Sequence, residues 1–202
     1  ANDFMARLRQ NDSLAEAAYA ATKDIKIDLN DTNNVITDWD KLVNGTYDSS
    51  VLIEKLNDYL VEKEIAAGKL SLDQEVTVPA DIAAFSEDTT IANQPMSTDQ
   101  TYTVKEILEA TLLPSSNSAA MMLAYLVSGD QVTFYRKMEK QLNTWGIKNV
   151  TMYSASGLAN GDMGSFKQSD IADDAENMLS AREIAIVARH LVTDYPSITS
   201  IT

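Results

Sequence analysis

Apolar side chains at helical spacing organise most of the chain. From Ser50, which reads as an N-cap, Leu52, Leu56, Tyr59, Leu60 and Ile65 fall on one stripe. That stripe predicts a helix to about Ala67, ended by Gly68. Thr103 and Glu106 form a capping box, and the helix behind it is expected to reach Leu113. A nearly all-apolar stretch predicts another helix over roughly 117–127. Asp130 or Ser128 would cap the next, with Val132, Tyr135, Met138 and Leu142 on one face and Gly146 closing it. Ser180 and Glu183 make a second capping box, opening a helix to about Thr193 that Pro196 forbids from continuing. Near the start, residues 5–23 read as an Ala-rich helix.

Period-two patterning is scarce. Residues 24–29 alternate polar and apolar as a short half-buried strand, residues 30–34 are a turn cluster, and Val35-Ile36 fits a second short strand. Residues 38–48 read as loop, residues 68–75 as a turn, and Val76-Thr77-Val78 as a short extended piece before Pro79. Residues 80–100 read as a long polar loop, of the size that forms functional rims or mobile segments. Asn149–Tyr153 reads as a strand entering Ser154-Ala155-Ser156-Gly157-Leu158, with a polar loop of about twenty residues after it. The expected class is α+β, helix-rich, with no internal repeat, in a single domain over 1–202.

Composition narrows the function classes. Lys and Arg total 16 against 30 Asp and Glu, a net charge of −14, which repels nucleic acid and anionic membrane surfaces and sets both aside as partners. No apolar run approaches the roughly 18 residues that span a bilayer. The chain opens at Ala1, as a processed or trimmed product would. With no Cys, disulfides, thiolate nucleophiles and thiolate metal sites are excluded.

Between two apolar helices lies Leu112-Leu113-Pro114-Ser115-Ser116-Asn117-Ser118-Ala119-Ala120. Polar residues pinned there are either a helix cap, supplied by Ser116 or Asn117, or half of an active site built on Ser115 and Asn117. This block resembles the Ser-x-Asn motif of serine-type D-alanyl-D-alanine carboxypeptidases, the low-molecular-mass penicillin-binding proteins. Tyr59-Leu60-Val61 through Gly68-Lys69-Leu70 to Glu75–Val78 is similar to the helix and turn that follow the nucleophile in that family. Leu142–Val150, Ser156-Gly157-Leu158 and Asp174–Ala188 with Asp194-Tyr195-Pro196 continue the resemblance, which covers residues 50–196. The last block is similar to versions from low-GC Gram-positive bacteria.

The resemblance implies the helical part of the serine β-lactamase and penicillin-binding transpeptidase fold. It also implies catalytic roles for Ser115 and Asn117 in shuttling a proton and holding the substrate amide. The ligand would be a peptidoglycan stem peptide or a β-lactam, bound outside the membrane of a Gram-positive cell and without a cofactor. Two family motifs are missing. The Ser-x-x-Lys motif works because a serine at a helix start has its lysine one turn on, on the same face. That lysine can take the hydroxyl proton if its surroundings lower its pKa.

Aligned on Tyr59-Leu60-Val61, Val51 stands at the nucleophile position and Glu54 at the lysine position. Ser50 and Lys55, the nearest substitutes, lie roughly 140° apart around a helix at about 100° per residue. Lys-Thr-Gly and Lys-Ser-Gly are both absent. The expectation is therefore a domain with an incomplete antiparallel sheet, truncated at the C-terminus or completed by a partner segment covering faces such as Ile184, Val187 and Leu191. Its turnover would be impaired, and the alternative is a non-enzymatic cell-wall or partner-binding protein.

Other candidates have plainer readings. His190, the sole histidine, fits a half-buried helix position better than a Ser-His-Asp triad, and a transition-metal site is not expected. Asp170, Asp173, Asp174 and Glu176 lack calcium-loop spacing and read as a solvated cluster. Met121, Met122, Met138, Met152 and Met178 read as core filling.

Overall fold

The computed structural model describes residues 46–48 and 50–201. All belong to the second of two compact units, Val43–Thr202. The helix expected over 5–23, the strands at 24–29 and 35–36, the turn at 30–34 and the loop up to residue 45 lie outside the described residues.

Six α-helices, three short 3₁₀ helices and two short antiparallel ladders are found among the described residues. Strand β1 (Thr46–Asp48) leads into α1 (Ser50–Ala66); β2 (Glu75–Thr77) leads into α2 (Ala80–Ser86). Strand β3 (Thr101–Thr103) runs directly into α3 (Val104–Leu112), followed by α4 (Asn117–Ser128) and α5 (Gln131–Thr144). Strand β4 (Met178–Ser180) and α6 (Ala181–Asp194) close the unit. β1 pairs antiparallel with β4, and β2 with β3. This is a helix-rich α+β arrangement with small antiparallel sheets, as expected.

Helix α4 is the central element. Its first eight residues, Asn117 to Ala124, are all buried, as befits a helix apolar on every side. One flank joins Ile53, Leu56, Tyr59 and Leu60 of α1 and Phe134, Tyr135, Met138 and Leu142 of α5 in one core. The other flank, through Ala119, Met122 and Leu123, joins Ile82, Val104, Ile107 and Leu108 of α2 and α3 in a second. Each large apolar side chain so buried stabilises the fold by about 1.5–3 kcal/mol.

Thr103 and Ser180 make the expected reciprocal capping boxes with Glu106 and Glu183, and of the two candidates for α5 it is Asp130 that caps it. Ser50, expected as an N-cap, is instead the first residue of α1, and Gly129 ends α4 in the left-handed conformation.

Several expectations are corrected. Residues 80–100 are not all loop: Ile82 and Phe85 are buried one turn apart and hold α2 together. Asn149–Tyr153 is not a strand. Asn149 has φ 60°, and the amides of Met152 and Tyr153 donate to the Glu139 and Asn177 side chains instead of to a ladder. Strands β1 and β4 arise in segments read as loop. Val132 is 44% exposed and Phe134 takes its place on the buried face; Met178 is 38% exposed on β4.

Val187 and Leu191 of α6 are buried in the core that contains α1, with Ile184 packed against it. That apolar face therefore needs no partner segment. His190 stacks on Trp145, centroids 4.4 Å apart, and its Nδ1 lies 3.0 Å from Asp194 Oδ2. In the acidic loop, Lys167 pairs with Asp173 at 2.7 Å.

Candidate functional site

The turn between α3 and α4 is fixed from several directions. Ser116 is the N-cap of α4: its Oγ accepts from the Ala119 amide at 3.3 Å and from the Gln94 amide at 3.0 Å, and lies 3.1 Å from Ser118 Oγ. Its own amide donates to the Ala110 carbonyl. The amide and the Nδ2 of Asn117 both donate to the Ala92 carbonyl, at 2.9 and 2.8 Å. The Ser118 amide donates to Asn93 Oδ1 at 2.9 Å. The segment before α3 thus straps the Ser-x-Asn turn, and the four amides at the start of α4 are spoken for.

Ser115 lies outside this strap. It is exposed and has φ 55°, one of two non-glycine residues with positive φ among those described. A left-handed conformation costs a residue with a Cβ about 1–2 kcal/mol. The Ser115 hydroxyl comes near enough to the Glu54 carboxyl on α1 to hold its pKa down against the effect of burial. The resemblance sets a lysine at that position, where this chain has a carboxyl. Lys55, one residue on, points its Nζ to within 3.7 Å of Asp58 Oδ2, an ion pair too long for a hydrogen bond.

Glu54, Asp58 and Glu62 repeat every four residues and share one face of α1. They are 3%, 0% and 5% exposed. Burial pushes the Glu54 carboxyl up to about 7, against the pull of the Lys55 ammonium and the Ser115 hydroxyl. Burial likewise pushes Asp58 up to about 8, opposed by Lys55 and reinforced by the neighbouring Glu54 and Glu62. Glu62 is raised by burial, with the Ser197 hydroxyl working the other way. Neutral or ionised, these carboxyls carry no positive charge, so none can act as the cationic partner of a serine.

Behind the column, Asn57 ties three elements together. Its Nδ2 donates to the Ala120 carbonyl of α4 at 2.8 Å and to the Ala155 carbonyl at 3.2 Å. The Ser154–Leu158 segment is held by Asn177, whose Oδ1 accepts from the Tyr153 and Ser154 amides at 2.6 and 3.3 Å. Asn177 Nδ2 returns a bond to the Ser154 carbonyl at 2.9 Å. Gly157, at φ 100°, makes the reversal that follows Ser156. On the other side of the turn an apolar groove of about 310 Å³ is lined by Pro95, Met96, Tyr102, Ile107, Leu113 and Pro114.

Around α1 the structure sets Ser115 near Glu54 and, through Asn57, ties the Ala120 carbonyl of α4 to the Ala155 carbonyl before Ser156, while Asn117 is held by Ala92. Sequence reasoning missed Asn57, Asp58, Glu62 and Asn177. The four-residue spacing of the carboxylates was a signal in plain view; the buried asparagines gave none.

No described helix is long and apolar enough to cross a membrane. The D-alanyl-D-alanine carboxypeptidase family model matches residues 10–202. Among curated relatives, D-alanyl-D-alanine carboxypeptidase DacF of Bacillus subtilis is 26% identical over 188 residues, covering 93% of this chain and 43% of that protein. DacA of Escherichia coli is 24% identical over 157 residues, covering 76% of this chain and 35% of that one. The chain thus spans less than half the length of these relatives.

Among solved structures, a peptidoglycan synthesis regulatory factor (PBP3) from Streptococcus pneumoniae is similar at 33% identity and a TM-score of 0.75. That match covers 80% of this chain and 45% of that one. Penicillin-binding protein D2 from Listeria monocytogenes, solved with cefotaxime bound, shares the fold at 20% identity and a TM-score of 0.63, over 79% of this chain and 58% of that one. Matched over nearly its whole length, this chain belongs to the D-alanyl-D-alanine carboxypeptidase family.

Proposed function

We propose that this chain binds peptidoglycan stem peptides, or β-lactams that mimic them, in the cleft between α1 and the Ser115–Asn117 turn, without forming the family's acyl-enzyme. The observation that carries this reading is the buried carboxyl of Glu54, near Ser115, at the position where the resemblance puts a lysine. Acyl transfer on a serine needs a base that collects its proton. The resemblance puts Val51 and Glu54 at the serine and lysine positions, and valine has no hydroxyl to activate. On the resemblance Asn117 would hold the substrate amide, with Oδ1 and the second Nδ2 hydrogen left beside the bond to Ala92. Action at the cell wall, outside the membrane of a Gram-positive cell, is part of the same proposal.

The test is a fluorescent penicillin label on the folded protein, read by intact mass, together with titration of N-acetyl-D-Ala-D-Ala followed by NMR. Reversible binding without an adduct is expected. A covalent adduct on any serine overturns the non-covalent reading. A second reading, a non-enzymatic partner-binding module, is favoured by Leu113, 60% exposed beside the apolar groove. It predicts that Leu113→Ser leaves peptide titration unchanged while abolishing capture of a cell-wall partner.

A further inference from the structure

Two Asn-Gly pairs occur in the chain, Asn44-Gly45 and Asn160-Gly161. The second lies in a single 3₁₀ turn, Asn160–Asp162, just after the Ser154–Leu158 segment. Asn160 is fully buried, and both polar atoms of its side chain are engaged. Its Nδ2 donates to the carbonyls of Gln168, Ile171 and Ala172 at 3.0, 2.9 and 3.3 Å. Its Oδ1 accepts from the Gln168 amide at 2.9 Å. The Asn160 backbone amide donates to the Ala175 carbonyl at 3.0 Å, and the Gly161 amide to the Asp173 carbonyl at 2.8 Å. One asparagine thus gathers the segment 167–175 around itself. Glycine is required beside it: a Cβ at Gly161 would lie 3.1 Å from the Asp173 Cβ and carbonyl oxygen.

Packing therefore keeps in place a dipeptide whose asparagine side chain is open to attack by its own backbone, since glycine offers an unhindered nitrogen. We infer that Asn160 is a site of spontaneous deamidation, gated by local opening of segment 167–175. The Gly161 nitrogen attacks Asn160 Cγ, and a C–N bond closes a five-membered imide. The Cγ–Nδ2 bond breaks, and ammonia leaves with the proton from the Gly161 nitrogen. Water then opens the imide at either carbonyl, its hydroxyl going to the carbon and its proton to the ring nitrogen. The product is aspartate or isoaspartate. The closed segment forbids the first step, because the Gly161 amide is bonded to Asp173 and the Asn160 carboxamide to Gln168, Ile171 and Ala172.

The gate is a local one. No helix or strand lies between Phe166 and Met178, and Lys167, Ser169, Asp170, Ala172, Asp173 and Asp174 are exposed. Segments of this kind open at a fraction of the free energy of global unfolding. The product does not restore the lock. A carboxylate at this position has no N–H to offer the three carbonyls. It also adds a charge to a segment that already carries Asp170, Asp173, Asp174 and Glu176, with Lys167 paired to Asp173. Phe166 links the segment to the rim of the cleft: it packs edge-on against Phe85, with ring centroids 5.8 Å apart. The Phe85 carbonyl accepts from Asn93 Nδ2, and Asn93 Oδ1 holds the Ser118 amide of α4.

The experiment incubates the chain, folded and in guanidinium chloride, in the same mildly alkaline buffer. Peptide mapping by mass spectrometry then counts aspartate and isoaspartate arising at Asn44 and Asn160. In denaturant both pairs should convert at similar rates. In the folded chain conversion at Asn160 should be at least about tenfold slower, and unchanged by denaturant below the unfolding transition. Equal rates in the two states, a folded chain that does not convert, or a folded rate that climbs with such denaturant each overturn the local gate. Absence of conversion at Asn160 in denaturant overturns the site. Asn160→Asp, the aspartate product, should exchange its Gly161 and Gln168 amide hydrogens at least about tenfold faster than wild type and melt at a lower temperature. Unchanged exchange and melting overturn the loosening. Should Asn160→Asp fail to fold, wild-type chain aged to partial conversion supplies the same comparison between its converted and unconverted molecules.

Discussion

Ser115, on the turn before α4, lies near the buried carboxyl of Glu54 on α1, and its hydroxyl lowers that group's pKa against the effect of burial. The resemblance sets a lysine at the Glu54 position, so here a carboxyl, and no ammonium, stands by the serine of the turn. A hydroxyl can face either group, since it both donates and accepts.

Stability should fall as pH rises across the neutral range. Unfolded, Glu54 and Asp58 titrate near 4; folded, burial raises them to about 7 and about 8. A raised carboxyl contributes stability that is fully present below the unfolded value and lost as pH rises through the folded one. The melting temperature should drop between about pH 5 and pH 8 and level off above, and Glu54→Gln or Asp58→Asn should flatten that drop. The exposed carboxylates that are lowered, Asp88, Glu106 and Asp130, have the opposite sign, and their contribution is lost only on acidification.

Two substitutions at Ser115 separate backbone strain from the loss of the hydroxyl. Both Ser115→Gly and Ser115→Ala remove the hydroxyl near Glu54, but glycine relieves the left-handed φ of 55°. Glycine should be more stable than alanine by about 1 kcal/mol, measured by urea unfolding. Equal stabilities would mean that the turn carries no strain.

Removing the Asn177 side chain should be costly. Asn177→Ala strips partners from the Tyr153 and Ser154 amides and from the Ser154 carbonyl. Buried groups left unpaired cost about 1–3 kcal/mol each, so a loss of about 3 kcal/mol is expected in denaturant unfolding. A loss below about 1 kcal/mol would show that the segment before Ser156 is held by something else.

At the cap of α4, Ser116→Ala should destabilise by about 1–2 kcal/mol, since one hydroxyl serves the Ala119 amide and the Gln94 amide together. Ser116→Thr, keeping the oxygen, should recover part of the loss.

Much of the helical frame was legible because it rests on local rules. The capping boxes at Thr103 and Ser180 and the apolar stripe of Leu56, Tyr59 and Leu60 announce themselves within a few residues. The three-residue strands were not legible, since β1 finds β4 across more than a hundred positions and neither alternates long enough to register. The candidate strand at Asn149 failed because side chains, Glu139 and Asn177, take the amides that a neighbouring strand would have used. In the site, the motif residues Ser115 and Asn117 could be placed from their block alone. That Glu54 would be buried with Asp58 could not, because it depends on which face of α1 meets α4.

The strap on the Ser-x-Asn turn has a consequence for how such a chain changes over time. The rim of the cleft is secured by the carbonyls of Ala92 and Ala110 and by the Asn93 and Ser116 side chains, none of which belongs to α1. Among the described residues, Asn57, bonded to Ala120, is the α1 side chain that reaches across to α4 in this way. Substitutions elsewhere along α1 leave the rim's own hydrogen bonds in place, so the shape of the opening can outlast the residues that face it.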